Sequence, residues 1–301
     1  MKRTLVTLLI SVFFLAVSPG AARAAQEIAV VQSIGIQPYQ EALNGFKSVV
    51  DNNIRQFVIS EMGGTAVLDR INELRPRMVL AIGIDALTQV RAISDIPVVY
   101  LMVLNPPAAL AGKKNVYGVR MSIPQEKQLD ALFSVLPATK AIGLLYNPDR
   151  TGDLVEKAAE NAKKTGTRLV AKAARDPRDV PKLIRELKGQ IDVFLMLPDL
   201  TVVTPETVEA LLLFSLENKI PLVSFSEKYV EMGALMSIGV DAFDMGVQAG
   251  EMAEKILSGR DTGGARQIDA RRAIISINRK VSKTLGISID EKIIRKARTI
   301  D

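Results

Sequence analysis

The sequence predicts an α/β protein of two Rossmann-like lobes with parallel sheets. Apolar runs without polar alternation, such as Met78–Ile82, residues 97–103, Ala141–Tyr146 and residues 191–197, read as strands buried on both faces. Segments with helical apolar spacing lie between those runs, and strand–helix alternation gives parallel sheets. The second half also repeats the first. Met78 to Gly83, a helix and Ile96–Pro97–Val98–Val99 are matched by Val193 to Pro198, a helix and Ile220–Pro221–Leu222–Val223.

The elements follow in order. Residues 28–31 form the first strand and Gln32 to Gly35 the loop after it. Residues 39–50 carry Leu43, Phe46, Val49 and Val50 at helical spacing, and residues 55–59 form a second strand. Ala66–Leu74 is a helix with Val67, Leu68, Ile71 and Leu74 on one stripe, stopped by Arg75–Pro76 because Pro cannot continue a helix. A strand over Met78–Ile82, a helix from about Asp85 to Ile93 and a strand over 97–103 follow. Residues 115–120 form a further strand, and residues 124–136 a helix with Leu129, Leu132, Phe133 and Leu136 facing a core.

Pro137 to Lys140 reads as a hinge, after which the theme restarts. Strands are predicted at Ala141–Tyr146, 167–171, 191–197 and 220–225. The helices between them include one capped by Asp179 and one opened by Thr204–Pro205. A helix ending near Leu257, a strand near 271–277 and one or two terminal helices complete the chain. The expected division is residues 25–138 with 241–262 as a first lobe, and 139–240 with 263–301 as a second.

Composition narrows the function. The chain has 301 residues, 48% hydrophobic and 24% charged, which suits globular domains with substantial cores. It contains no Cys, so disulfides, thiol nucleophiles, Cys metal sites and a lipid-bearing Cys are excluded together. It contains no His, which excludes a histidine base, a Ser-His-Asp triad and His zinc sites. No catalytic constellation, metal site or cofactor motif is left, so the reading is a protein that is not an enzyme and needs no cofactor. Lys2 and Arg3, an apolar run to Val17 and Ala22–Arg23–Ala24 form a cleavable signal peptide over residues 1–24, with cleavage after Ala24. Its removal halves the formal charge of +6. No basic stripe interleaved with aromatics remains, so no nucleic-acid partner is expected.

Several segments carry a family likeness: Asn115–Val116–Tyr117–Gly118–Val119, Ile142–Gly143–Leu144–Leu145–Tyr146–Asn147–Pro148, Gly45–Phe46–Lys47, Gly233 to Gly246 and Asn278–Arg279–Lys280. In their order and spacing the chain resembles the ABC transporter substrate-binding proteins that include tryptophan and tyrosine binders. The resemblance implies a type I periplasmic binding protein fold, with three crossings between the lobes and a ligand cleft between them. It implies a protein that takes a small amino acid-like molecule to an ABC permease in the inner membrane. The signal peptide and the lack of a lipid-bearing Cys place it free in the periplasm, and a monomer is expected. The alternative is a sensory protein that passes its ligand state to a membrane receptor kinase. Family members often carry Asp-Pro where this chain has Asn105–Pro106, and Gly-Thr where it has Gly83–Ile84. Both differences fall on cleft loops, where ligand choice is to be sought.

Ligands of open parallel sheets bind beyond the carboxyl ends of the strands. The candidate ligand-binding residues are therefore Ser33, Gly83, Ile84, Asp85, Asn105, Tyr146, Asn147, Asp199, Phe225, Ser226 and Asp241. Free N–H groups at Gly83–Ile84–Asp85–Ala86 suit an anionic group, or Asp85 caps that helix itself. Asn105 and Asn147 offer a donor and an acceptor, or simply form turns before Pro. Asp199 is placed to hold an ammonium, or to cap a helix or turn. Phe225 packs on an apolar ligand part or on the core, and Tyr146 stacks. Asp241, following a Gly at a helix start, reads more as a cap than as a contact.

Overall fold

The computed structural model describes residues 27–301 except 52, 63–65, 105, 107–109, 111 and 261–263. The predicted signal peptide and Asn105 therefore lie outside the described residues.

The first sheet begins with β1 (Ile28–Gln32), followed by α1 (Gln37–Lys47), β2 (Ile54–Val58), α2 (Ala66–Leu74) and β3 (Met78–Ile82). Next come α3 (Ile84–Val90), β4 (Val98–Val103) and β5 (Val116–Arg120). All strands of β1, β3 and β4 are fully buried, as unalternated apolar runs require. Alternate side chains serve opposite cores. Ile28, Val30, Met78 and Leu80 face one cluster, and Ala29, Val31, Val79 and Ala81 face the other.

The second lobe contains α4 (Gln125–Val135), β6 (Ala141–Tyr146), α5 (Pro148–Lys164), β7 (Arg168–Ala173), α6 (Val180–Glu186) and β8 (Val193–Leu195). It continues through α7 (Pro205–Asn218), β9 (Leu222–Ser224), α8 (Glu227–Glu231) and β10 (Met236–Val240). The chain then returns to the first lobe as α9 (Ala242–Leu257) and β11 (Gln267–Asp269). It finishes in the second as β12 (Ala273–Asn278), α10 (Arg279–Leu285), α11 (Glu291–Ile294) and β13 (Arg298–Ile300).

The sheet orders are β11-β5-β4-β3-β1-β2 and β13-β12-β10-β9-β8-β6-β7. Both lobes thus wind their first five strands in one order, with the topological switch between β1 and β3 and between β6 and β8. Every ladder is parallel except β10 with β12, where the returning chain pairs antiparallel.

Two segments sit in the lobe opposite to the one expected. Helix α4 packs on the second lobe, where Leu132, Val135 and Leu136 share a core with Ile142, Val193 and Val223. Its apolar stripe meets β10 and β12, so the crossing falls before Pro124 and not at Pro137 to Lys140. Strand β11 pairs with β5 in register Gln267↔Gly118 and Asp269↔Arg120, so residues 267–269 complete the first sheet. The α9 helix docks on α1 so closely that a Cβ on Gly246 would lie 1.9 Å from the Ala42 carbonyl oxygen.

Candidate ligand-binding site

At the switch point of the first lobe, Gly83 adopts φ +94° in the N-cap position of α3. A Cβ there would lie 2.5 Å from both Ser33 Oγ and the Tyr39 hydroxyl oxygen. Ser33 is buried, and its Oγ accepts from the Ala86 N–H at 3.0 Å. Ser33 therefore caps this helix from the end of β1, and one of the N–H groups expected to meet an anion is already satisfied. Asp85 does not cap. It stands exposed in the first turn beside Ile84, which is 43% exposed. Burial, and then the charge of Asp85, push the Tyr39 phenol above its ordinary range.

The corresponding point of the second lobe is a closed hydrogen-bond bracket. Asn147 caps α5, its Oδ1 accepting from the Asp149 N–H at 2.9 Å. Its Nδ2 donates to Thr201 Oγ1 at 2.9 Å. Asp199 Oδ2 accepts from the Asn147 N–H at 2.7 Å and from the Thr151 hydroxyl at 2.6 Å, and Oδ1 accepts from the Thr201 N–H at 2.9 Å. Asp199 is only 1% exposed. The ammonium expected at Asp199 is thus not what this carboxylate serves here: its oxygens satisfy the ends of β6 and β8.

The remaining candidates divide similarly. Asp241 caps α9, its Oδ1 accepting from the Asp244 N–H at 3.0 Å. Ser226 occupies the N-cap position of α8 without a side-chain bond. Its carbonyl accepts from the Ser224 hydroxyl at 2.9 Å. Tyr146 is half-buried at the end of β6. Phe225 is half-buried, edge-on to Tyr229 at 5.3 Å, and lines a cavity.

That cavity measures about 140 Å³ and is walled mainly by aliphatic side chains. Leu104, Met121 and Ile123 close it from the first lobe and the crossing, and Leu132, Met196 and Ile238 from the second. A groove of about 550 Å³ adjoins it and shares Leu104, Ser122, Ile123, Gln125 and Leu154 as walls. The groove mixes polar and apolar walls. Arg120, Gln267 and Asp269 line it from the first sheet, and Lys157, Glu160 and Asn161 from α5. Exposed aliphatic side chains also stand just after β1, β3, β4 and β8: Ile34, Ile36, Ile84, Leu104 and Leu200. Among the described residues no group of carboxylates is placed to hold a metal ion.

Residues 40–300 match the model of the ABC transporter substrate binding protein family. The chain belongs to this family. A tyrosine-binding protein of Clostridioides difficile (strain R20291) is 29% identical over 204 residues, 65% of this chain and 59% of that protein. An uncharacterised Rickettsia prowazekii protein is 28% identical over 162 residues, 52% of each. The chain thus spans little more than half the length of these two relatives. Among solved structures, a ligand-free, open substrate-binding protein with adhesive properties from Clostridium difficile superposes with a TM-score of 0.72 at 24% identity, covering 92% of this chain and 99% of that one. An ABC domain bound to L-Trp from Streptococcus pneumonia gives 0.62 at 21% identity, covering 92% and 100%.

As in other type I periplasmic binding folds, the substrate-binding protein has its two lobes joined by three crossings, near Ser122, Asp241 and Arg271. The third crossing is tied to the first lobe. Arg271 Nε donates to both Asp244 oxygens at 3.1 and 3.0 Å, and Nη1 to both Glu251 oxygens at 3.1 and 3.0 Å. Lys127 of α4 donates to the Arg271 carbonyl at 2.8 Å, linking the second lobe to the same residue.

The residues that sequence reading missed are Arg120, Asp269 and Tyr100. Arg120 Nε lies 2.9 Å from Asp269 Oδ1. Tyr100 is fully buried on β4, its ring lying over Gly118, where a Cβ would come within 2.3 Å of it. Its hydroxyl has no hydrogen-bond partner among the described residues. Burial pushes this phenol up to about 12, with Arg120 lowering and Asp269 raising it.

Proposed function

We propose that this substrate-binding protein is the periplasmic solute receptor of an ABC importer, without catalytic activity. It works as a monomer, takes a small amino acid-like molecule between its lobes and presents it to an inner-membrane permease. The observation that carries the reading is the set of exposed aliphatic side chains at the strand ends of both lobes, beside a concave apolar cavity. Solvated apolar surface at the mouths of two facing sheets is what an open, unliganded cleft presents, and lobe closure on a solute buries it. The likeness to a tyrosine-binding relative supports an amino acid as the solute class. Residues 1–24 act as the export signal, and among the described residues no helix is long and apolar enough to cross a membrane.

The test is mass spectrometry of small molecules released from the purified protein, followed by a thermal-shift panel of L-amino acids. A ligand that binds only the folded state raises the melting temperature. No shift with any amino acid, and none released, would overturn the reading. The chain has no Trp, so the fluorescence of added L-tryptophan reports its own binding without background from the protein.

A further inference from the structure

We propose that Arg120 and Asp269 hold the charged head group of the solute, the guanidinium taking its carboxylate and the Asp its ammonium, while its apolar side chain enters the adjoining cavity. This rests on the reading of the chain as an amino acid receptor and places the head group at the crossing side of the cleft, away from the Asn147 and Asp199 bracket.

The first support is unspent bonding capacity. Arg120 and Asp269 approach to 2.9 Å through Nε and Oδ1, but neither atom is aligned for a hydrogen bond. A guanidinium carries five donors and a carboxylate about four acceptor sites, so most of the capacity of both remains. The two side chains are 40% and 33% exposed, toward the groove they line. A third polar group of the cluster, the Tyr100 hydroxyl, is buried without a partner among the described residues.

The second is backbone geometry. Strand β4 breaks register between Tyr100 and Val103, and Met102 adopts φ +57°, so that Val103 and not Met102 stands opposite Arg120. A bulge of this kind re-aims neighbouring side chains and recurs beside functional sites. Across the groove Glu160 and Lys157 have no ion-pair partner among the described residues, so the facing wall also carries both signs of charge.

The third is the chemistry of the two compartments together. A cation and an anion side by side fit a zwitterion. A sugar would be met by neutral donors and acceptors, and a simple carboxylate would be repelled by Asp269. The aliphatic cavity, about 140 Å³, is similar in size to an engineered cavity of about 150 Å³ that takes benzene. The solute is then an α-amino acid with an aromatic ring or a branched aliphatic side chain.

The experiment is calorimetry of the full mature chain with L-tyrosine, with tyramine, which lacks the carboxylate, and with 3-(4-hydroxyphenyl)propionate, which lacks the ammonium. Arg120→Gln is expected to weaken L-tyrosine by about 50-fold or more while changing tyramine by less than about threefold. Asp269→Asn is expected to weaken L-tyrosine and to leave the propionate bound as well or better, since the charge that repels its carboxylate is gone. Arg120→Lys keeps the charge, loses the fork and falls between, which serves if Arg120→Gln does not fold. A purely structural pair would lower the melting temperature and weaken all three compounds equally, which overturns the proposal. So does wild-type affinity for L-tyrosine in folded Arg120→Gln. A wild-type protein that binds no amino acid fails at the receptor reading itself, before any variant is compared.

Discussion

The backbone N–H of Asn147 donates to the carboxylate of Asp199 at 2.7 Å, tying the end of β6 to the end of β8. The same carboxylate receives Thr151 and the Thr201 N–H. Asp199→Ala removes the acceptor for three buried donors and is expected to cost about 3 kcal/mol. Asp199→Asn keeps an acceptor oxygen and costs less. Urea unfolding of the two variants checks this. A stable Asp199→Ala protein that has lost only solute binding would instead restore Asp199 as an ammonium partner.

Gly83→Ala is expected to destabilise by about 2 kcal/mol, since φ +94° is unfavourable for alanine. The new methyl would also lie 2.5 Å from Ser33 Oγ and the Tyr39 hydroxyl, displacing the Ser33 cap. Ser33→Ala isolates the cap alone and should cost about 1 kcal/mol. Thermal melts of both separate backbone strain from the lost hydrogen bond, with Gly83→Ala the worse of the two.

Tyr100→Phe should be neutral or stabilising, because it removes a buried hydroxyl that has no partner among the described residues. The pH dependence has a definite sign. The folded phenol is pushed up to about 12, so the native state holds this proton where an unfolded tyrosine has released it. Stability is therefore lost as pH rises from about 10 through 12, and Tyr100→Phe should flatten that loss. Denaturant melts across this range decide it. An unchanged slope in the variant would mean that Tyr100 does not carry the effect.

The sheets were legible because buried parallel strands announce themselves as apolar runs, and β1, β3, β4 and β6 lie within a residue or two of where those runs place them. The site was less legible. Loops after strands lie against helix N-termini whose first N–H groups must be satisfied, so the polar residues there serve as caps whether or not a solute is near: Asn147 and Asp241 for the helix that follows, Ser33 for α3 across the switch point. Arg120 and Asp269 become neighbours only because β11 returns to pair with β5, a juxtaposition that no local pattern encodes. Helix α4 packs on the second lobe and not on the expected first for a related reason. Its stripe of Leu129 and Leu132 shows that it packs, but not on which sheet.

Arg271→Ala should loosen the third crossing. The side chain is held by two carboxylates, which raise its pKa through the hydrogen bonds to Asp244 and then to Glu251. Asp244 is 5% exposed, so removing Arg271 leaves it to the more distant Arg272, at 3.5 Å. A loss of about 1–2 kcal/mol is expected, together with a wider spread of lobe angles in solution scattering. Arg271→Lys cannot bond both carboxylates with paired donors and should recover only part of the loss. Scattering profiles identical to wild type would show that the crossing is held elsewhere.

Ala162→Leu tests the cavity directly. Ala162 is buried on α5 and lines the aliphatic space of about 140 Å³. A larger side chain pointing into an empty apolar space gains burial, at about 0.8 kcal/mol per methylene, against whatever strain its rotamer incurs. The melting temperature of the unliganded variant should therefore stay level or rise. If the cavity receives the solute's apolar part, affinity should fall by about tenfold or more, because the space is already filled. The two readouts move in opposite directions only under that arrangement. A raised melting temperature with unchanged affinity for L-tyrosine would identify the cavity as a packing defect of the second lobe. A lowered melting temperature would show that the space is smaller than it measures, and Ala158→Val on the same face of α5 then provides the gentler probe.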